Sequence, residues 1–210
     1  NQIEETDEEF RIGAMVTLRQ MEKHPGLAAY SCGAVEAAFQ DIVGVQFRNG
    51  ATLGGSLWRR MGFSDILTVF LAMDSYVELY KGGIVPLEEF ARMPYDKDVL
   101  VRLVVKQPGA FSYQAVRKQR TDIPSLNCAA AQVAGEWRVV VGSRPARAVV
   151  LRDEQGLLAG GITEESAATF ADYAAGAVTV SGNMWGSAGY RRALVPVLTR
   201  RALLALKEVQ

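Results

Sequence analysis

The chain of 210 residues reads as an α+β protein: an α/β part first, then an antiparallel sheet packed with a small helical bundle. Three observations carry that expectation. Short apolar strands and helical repeats alternate as far as Met93-Pro94-Tyr95. Beyond it, β-branched runs follow one another, and two helical segments then close the chain. A domain boundary is expected near residue 106, separating residues 1–106 from residues 107–210.

Residues 10–15 form a short strand, and Thr17 can cap a helix reaching His24. Leu27, Tyr30, Ala34, Ala37, Ala38 and Asp41 recur at roughly helical spacing and predict a second helix over 27–42. A glycine loop follows. Ile66, Leu67, Val69, Phe70, Leu71 and Met73 suit a buried helix over 65–74, with Ser64 or Asp65 as N-cap. Residues 76–80 alternate as a strand and turn at Lys81-Gly82-Gly83, and Pro86 opens one or two helical turns through Phe90.

Residues 99–105 are strongly β-branched, 111–116 and 126–133 have strand character, and Gly135-Glu136 turns the chain into 137–141. Helices over 164–175 and from about Ser187 to Glu208 complete the order. In the last, Tyr190, Leu194, Val197, Leu198, Ala202 and Leu206 share one face. Arg191, Arg192, Arg200, Arg201 and Lys207 are left to solvent. Pro196 should kink that helix or delay its hydrogen bonding by a turn.

Composition excludes several function classes. Lys and Arg number 23 against 23 Asp and Glu, so net charge gives no reason to expect nucleic acid or a membrane surface as partner. The longest apolar run, 66–73, is interrupted by Thr68 and far too short to span a bilayer. The acidic opening, residues 1–9, is the opposite of a secretory leader's basic start. Cys32 and Cys128 stand far apart, which fits a reducing cytoplasm and excludes an iron–sulfur cluster held by this chain alone. His24, the single histidine, precedes Pro25 and is expected to end a helix; no His-based metal site is possible.

The chemistry-bearing stretch is Arg48-Asn49-Gly50-Ala51-Thr52-Leu53-Gly54-Gly55-Ser56, with Asp65 nine residues after Ser56. Without a Cβ, Gly54 and Gly55 can take φ > 0 and turn consecutive N–H groups to one side, a concave site suited to phosphate or pyrophosphate. Asp65 could accept a sugar or ribityl hydroxyl. A tight turn that binds nothing uses the same residues. Neither G-x-G-x-x-G nor GK[ST] is present.

The segment resembles the FAD-binding medium subunit of the xanthine dehydrogenase and carbon monoxide dehydrogenase family. There the pattern runs I-R-N-x-A-T-I-G-G-N-L and closes with S/A-D-L; here Phe47 through Leu57 and Ser64-Asp65-Ile66 are in register. Residues 10–18 are similar to the family's L-R-I-G-A-x-T-T-L, and Gly186-Ser187-Ala188-Gly189-Tyr190-Arg191-Arg192 to its G-S-A-E-Y-R-R. The resemblance implies pyrophosphate and flavin contacts at Thr52, Leu53, Gly54, Gly55 and Ser56, and a polar FAD contact at Asp65. It implies an aliphatic residue against the flavin at Leu100, a position beside the adenine end at Ile42, and at Gln114 one where relatives carry a basic side chain.

It further implies a cytoplasmic electron-transfer subunit whose partners are a molybdopterin-binding large subunit and a small subunit with [2Fe–2S] clusters, with NAD or another acceptor downstream. Three departures are expected to matter. Ser56 replaces Asn, and Trp58-Arg59-Arg60-Met61-Gly62-Phe63 replaces C-N-A-S-P-A, so that Arg59 or Arg60 is free to pair with phosphate, stabilise a reduced flavin or face solvent. The family's preceding segment, with an A-G-G-T loop forming the other half of the clamp, is absent from this sequence. The chain alone is therefore expected to bind FAD weakly or not at all, be inactive, and expose apolar surface that favours homo-oligomers. A non-catalytic assembly module keeping the fold without FAD is the alternative. A flavin oxidase acting directly on substrate is disfavoured, because no histidine or cysteine suits flavin linkage.

Overall fold

The structure, a computed structural model, describes residues 1–106 and 109–207. The expected division at 106/107 and the expected helix end at Glu208 abut or fall on residues outside that description.

Two antiparallel sheets organise the chain, as the α+β class requires. The first contains β1 (Ile3–Glu5), β2 (Glu9–Gly13), β3 (Ser75–Leu79), β4 (Gly83–Pro86) and β5 (Leu100–Lys106), in the spatial order β1-β2-β5-β3-β4. Every pairing in it is antiparallel. The second is a meander of β6 (Ala110–Val116), β7 (Leu126–Val133), β8 (Glu136–Gly142) and β9 (Val149–Arg152). Strands β1, β4 and β9 were not anticipated. The acidic opening pairs Ile3 with Ile12 and Glu5 with Phe10, because backbone pairing to a buried neighbour overrides acidic composition.

Between β2 and β3 the chain makes six short helices: α1 (Leu18–Glu22), α2 (Pro25–Tyr30), α3 (Ala34–Phe39), α4 (Val45–Gly50), α5 (Leu53–Trp58) and α6 (Asp65–Ala72). Thr17 caps α1 in a capping box with Gln20, as expected. The helix expected over 27–42 is broken in two. Cys32 takes φ 52° and donates to the Ala29 carbonyl, while Gly33 takes φ 79° and donates to that of Ala28. These two bonds are the Schellman end of a helix. Helix α1 ends at Glu22, just before His24, which also starts the next helix: its Nδ1 accepts from Leu27 N at 3.2 Å as the N-cap of α2.

The remaining helices are α7 (Leu87–Phe90), α8 (Glu164–Ala177) and α9 (Ala188–Lys207). Helix α9 runs through Pro196 as one element. Its expected face holds at Leu198, Ala202 and Leu206 but not throughout. Tyr190 and Val197 are exposed, whereas Arg191 is fully buried with Val195, Leu198, Ala202, Leu203 and Leu206. The arginine decides the rotation of the helix. Its guanidinium donates to the carbonyls of Ser125 (2.6 Å), Ser143 (3.1 Å), Ser181 (2.8 Å) and Gly186 (2.5 Å) and to Asn183 Oδ1 (2.6 Å). Five acceptors pointing at one place hold a charge that solvent would otherwise claim.

Strand β7 is buried on both faces, and its alternation separates two cores. Leu126, Cys128 and Ala130 face α8 and α9 with Phe170, Leu198 and Leu203. Ala129, Ala131 and Val133 face the helices of the first part, against Phe39, Phe70 and Val69. Burial pushes the Cys128 thiol up to about 12, so it behaves as a small apolar filler.

Candidate functional site

A cleft of about 420 Å³ opens between the first part's helices and the 121–124 loop of the second. One wall is α5. Its sequence sets two faces: Leu53, Gly54 and Leu57 are buried in the core, while Thr52, Gly55, Ser56 and Arg59 line the cleft. Positions 52, 55, 56 and 59 are one helical stripe. Ile42, Val43 and Phe47 form an apolar wall, and Ser64 and Asp65, at the start of α6, lie on the floor.

The glycine stretch is not a loop, and this overturns the expected amide cradle. Leu53 N donates to Val16 O at 2.9 Å and Gly54 N to Ala14 O at 2.8 Å. Gly55 N donates to Thr52 Oγ1 at 3.2 Å and Ser56 N to Thr52 O at 3.1 Å. The cause is local: Thr52 is an N-cap, and Leu53 and Leu57, one turn apart, pull the segment into a helix. Four amides expected to face a diphosphate are thus spent inside the protein.

The two glycines also part company. A Cβ on Gly54 would lie 2.6 Å from Ala14 Cβ and 2.9 Å from Ala14 O, so Gly54 serves the packing of α5 against the turn after β2. A Cβ on Gly55 would meet only Thr52 Oγ1, at 3.2 Å; its other side is open cleft. Leu53 is core. Leu100 begins β5 and is buried among core residues, and Gln114 sits in β6 opposite Cys128; neither lines the cleft. The structure brings together Ile42, Thr52, Gly55, Ser56 and Asp65.

Asp65 is engaged more fully than a ligand contact would be. Its Oδ1 accepts from Tyr113 Oη and from Asn127 Nδ2 (2.9 Å), and its Oδ2 faces Arg117 at 3.2 Å. Burial pushes the carboxyl above its ordinary value, against the pull of Arg117, Tyr113 and Asn127. One acceptor site on Oδ2 remains for a ligand. The same network clasps α6 to β6 and β7 beneath the cleft.

A second ion pair shapes the apolar wall. Glu22 of α1 takes Arg48 Nε at 2.9 Å and Arg19 at 2.6 Å, and Arg48 also donates to Ile42 O at 2.9 Å. Burial pushes the Glu22 carboxyl up, but the two guanidiniums outweigh it and hold it below its ordinary value. Arg60 is consumed differently. With φ 46° it folds under Trp58, Phe90 and Tyr95, its guanidinium 3.9–5.0 Å from their ring centres, and donates to Phe90 O at 2.8 Å. It is not available to phosphate. Tyr113, Asn127 and Arg117 were missed as site-shaping residues, because each reaches Asp65 across more than forty positions of sequence and leaves no local pattern; Arg191 was missed although Ser181, Asn183 and Gly186, three of its five acceptors, lie within ten positions of it.

Comparison with known proteins bears on this cleft. The family model for the FAD binding domain in molybdopterin dehydrogenase matches residues 1–107, and that for the CO dehydrogenase flavoprotein C-terminal domain matches residues 111–206. The chain belongs to the family of FAD-binding domains of molybdopterin dehydrogenases. It is 25% identical over 217 residues to the nicotine 6-hydroxylase medium subunit of Paenarthrobacter nicotinovorans, covering 96% of this chain and 76% of that one. The uncharacterised protein YgfM of Escherichia coli K12 is 26% identical over 194 residues, 90% of this chain and 70% of that protein.

Among solved structures, quinoline 2-oxidoreductase from Pseudomonas putida 86 matches with a TM-score of 0.83 at 20% identity, covering 99% of this chain and 78% of that one. Carbon monoxide dehydrogenase from Hydrogenophaga pseudoflava matches with 0.84 at 21%, covering 98% and 78%. The cleft's apolar wall, the open glycine at its edge and the further acceptor site on Asp65 Oδ2 beside Arg117 are compatible with a flavin dinucleotide. Among the described residues no group of histidines, cysteines and carboxylates is placed to hold a metal ion, and no helix is long and apolar enough to cross a membrane.

Proposed function

We propose that this chain is the flavin-carrying electron-transfer subunit of a molybdenum hydroxylase. Bound FAD would supply a carrier for reducing equivalents, taken from iron–sulfur clusters of one partner after a molybdopterin partner oxidises substrate, and passed to NAD or another acceptor. Family membership and the nicotine 6-hydroxylase relative support this reading. The single observation that carries it is Gly55: an exposed glycine on the cleft face of α5, where a Cβ would meet Thr52 Oγ1 alone and a larger side chain would take up cleft space.

The chain's own residues bind and orient. Ile42, Val43 and Phe47 exclude water from one wall, Thr52 and Ser56 offer hydroxyls, and the clamped Asp65 offers Oδ2 to a ligand hydroxyl. We further propose that Leu53 and Gly54 act by seating α5, and that Leu100 and Gln114 support the sheets around it. We also propose that the chain alone turns over no substrate and serves by carrying the flavin for its partners. A reducing cytoplasm is the proposed compartment, consistent with two free cysteines.

The spent amides favour a second reading, an assembly module that keeps the fold and a partner surface without flavin. Co-expression with iron–sulfur and molybdopterin partners separates the two. A yellow complex whose flavin is reduced on substrate addition, and lost in Gly55→Val without loss of partners, supports the carrier. A colourless complex of normal stoichiometry supports the module.

A further inference from the structure

Resting on the flavin-dinucleotide reading, we propose that Arg59 is the phosphate-binding residue of the cleft, its guanidinium recognising the diphosphate bridge in place of main-chain amides. A diphosphate brings about two negative charges, and in a largely apolar cleft these need a donor and a counter-charge. The amides of residues 53–56 supply neither, since all four are bonded internally. The charged residues on the cleft walls are Arg59, Asp65 and Asp122. Asp65 is matched by Arg117, which leaves Asp122 as a net negative charge unless Arg59 offsets it.

Arg59 is placed for the task. It follows Gly55 by four positions and Ser56 by three, so it stands one turn along the same face of α5, over the open glycine. Its main chain is fixed: Tyr95 Oη donates to Arg59 O at 2.6 Å, and Arg60 beside it is locked in its aromatic cage. Its head is free. Among the described arginines only Arg59, Arg192 and Arg201 make no ion pair or side-chain hydrogen bond, and of these only Arg59 lines the cleft. The planar fork of arginine suits two phosphate oxygens at once, which the lone ammonium of lysine does not match.

The test titrates the flavin-stripped complex of the chain and its co-expressed iron–sulfur and molybdopterin partners with FAD, with ADP, which carries the diphosphate but no flavin, and with riboflavin, which carries the ring but no phosphate. Wild type, Arg59→Ala, Arg59→Lys and the remote control Arg201→Ala are compared by calorimetry and flavin fluorescence at several salt concentrations. Arg59→Ala should weaken FAD and ADP by roughly 10- to 100-fold, flatten their salt dependence and leave riboflavin unchanged. Arg59→Lys should recover part of the loss, and Arg201→Ala should match wild type. Equal FAD and ADP affinity in wild type and Arg59→Ala, with riboflavin still bound, overturns the role of Arg59 alone. Failure of wild type to bind both FAD and riboflavin overturns the flavin reading and this proposal with it.

Discussion

Gly54 and Gly55 are neighbours with different reasons to be glycine. At Gly54 the reason is inside the protein, where Ala14 leaves no room for a Cβ. At Gly55 it is outside, in the cleft. Substituting them separately should therefore split two properties. Gly54→Val forces α5 off the turn after β2 and should cost about 1–3 kcal/mol, read as a lower urea midpoint. Gly55→Val should change stability by less than about 1 kcal/mol, because the strain against Thr52 is offset by better helix propensity, yet should abolish flavin binding. If both variants lose stability equally and bind flavin equally, the division of labour is wrong. Arg191 offers a companion test. Arg191→Met strands five acceptors in the core and should cost about 3 kcal/mol or more by the same measurement.

At the scale of elements, the apolar wall depends on an ion pair between α1 and α4. Glu22 holds Arg48, and Arg48 holds the carbonyl of Ile42. Because the folded Glu22 carboxyl lies below its ordinary value, its contribution is present above the unfolded value, about 4.3, and is lost as pH falls through the folded one. Urea unfolding from pH 7 to pH 3 should show Glu22→Gln less stable than wild type at neutral pH, with the gap closing in acid. A gap that stays constant or widens in acid would contradict the pair's role.

Much of this level was legible in sequence. Thr17 and Ser64 advertised their caps, and the β-branched run ending at Val105 advertised β5. What escaped had a physical reason. Gly54-Gly55 signalled a turn by composition, but the leucines at 53 and 57 and the Thr52 cap won, and a helix formed. Cys32 hid a left-handed helix end that glycine usually marks. Arg191 looked like a solvent charge because four of its five acceptors are main-chain carbonyls, which carry no side-chain signature.

At the scale of the whole molecule, β7 decides the layout. Its small residues let helices close on both faces, so the 121–124 loop between β6 and β7 reaches back over α5 and completes the cleft. Flavin binding should then stabilise both parts together. FAD at about 100 times its dissociation constant should add about 2.7 kcal/mol and move a single cooperative transition upward. Two separate transitions, only one of them FAD-sensitive, would show that the parts melt independently.

The account stands on the position of the ligand within this cleft, and amide chemical-shift mapping of the labelled chain during FAD titration tests that directly. The shifts should concentrate at Ile42, Phe47, Gly55, Ser56, Arg59 and Asp122, with β9 and α8 silent. Saturable shifts elsewhere on the surface, with Gly55 and Ser56 unmoved, would contradict it.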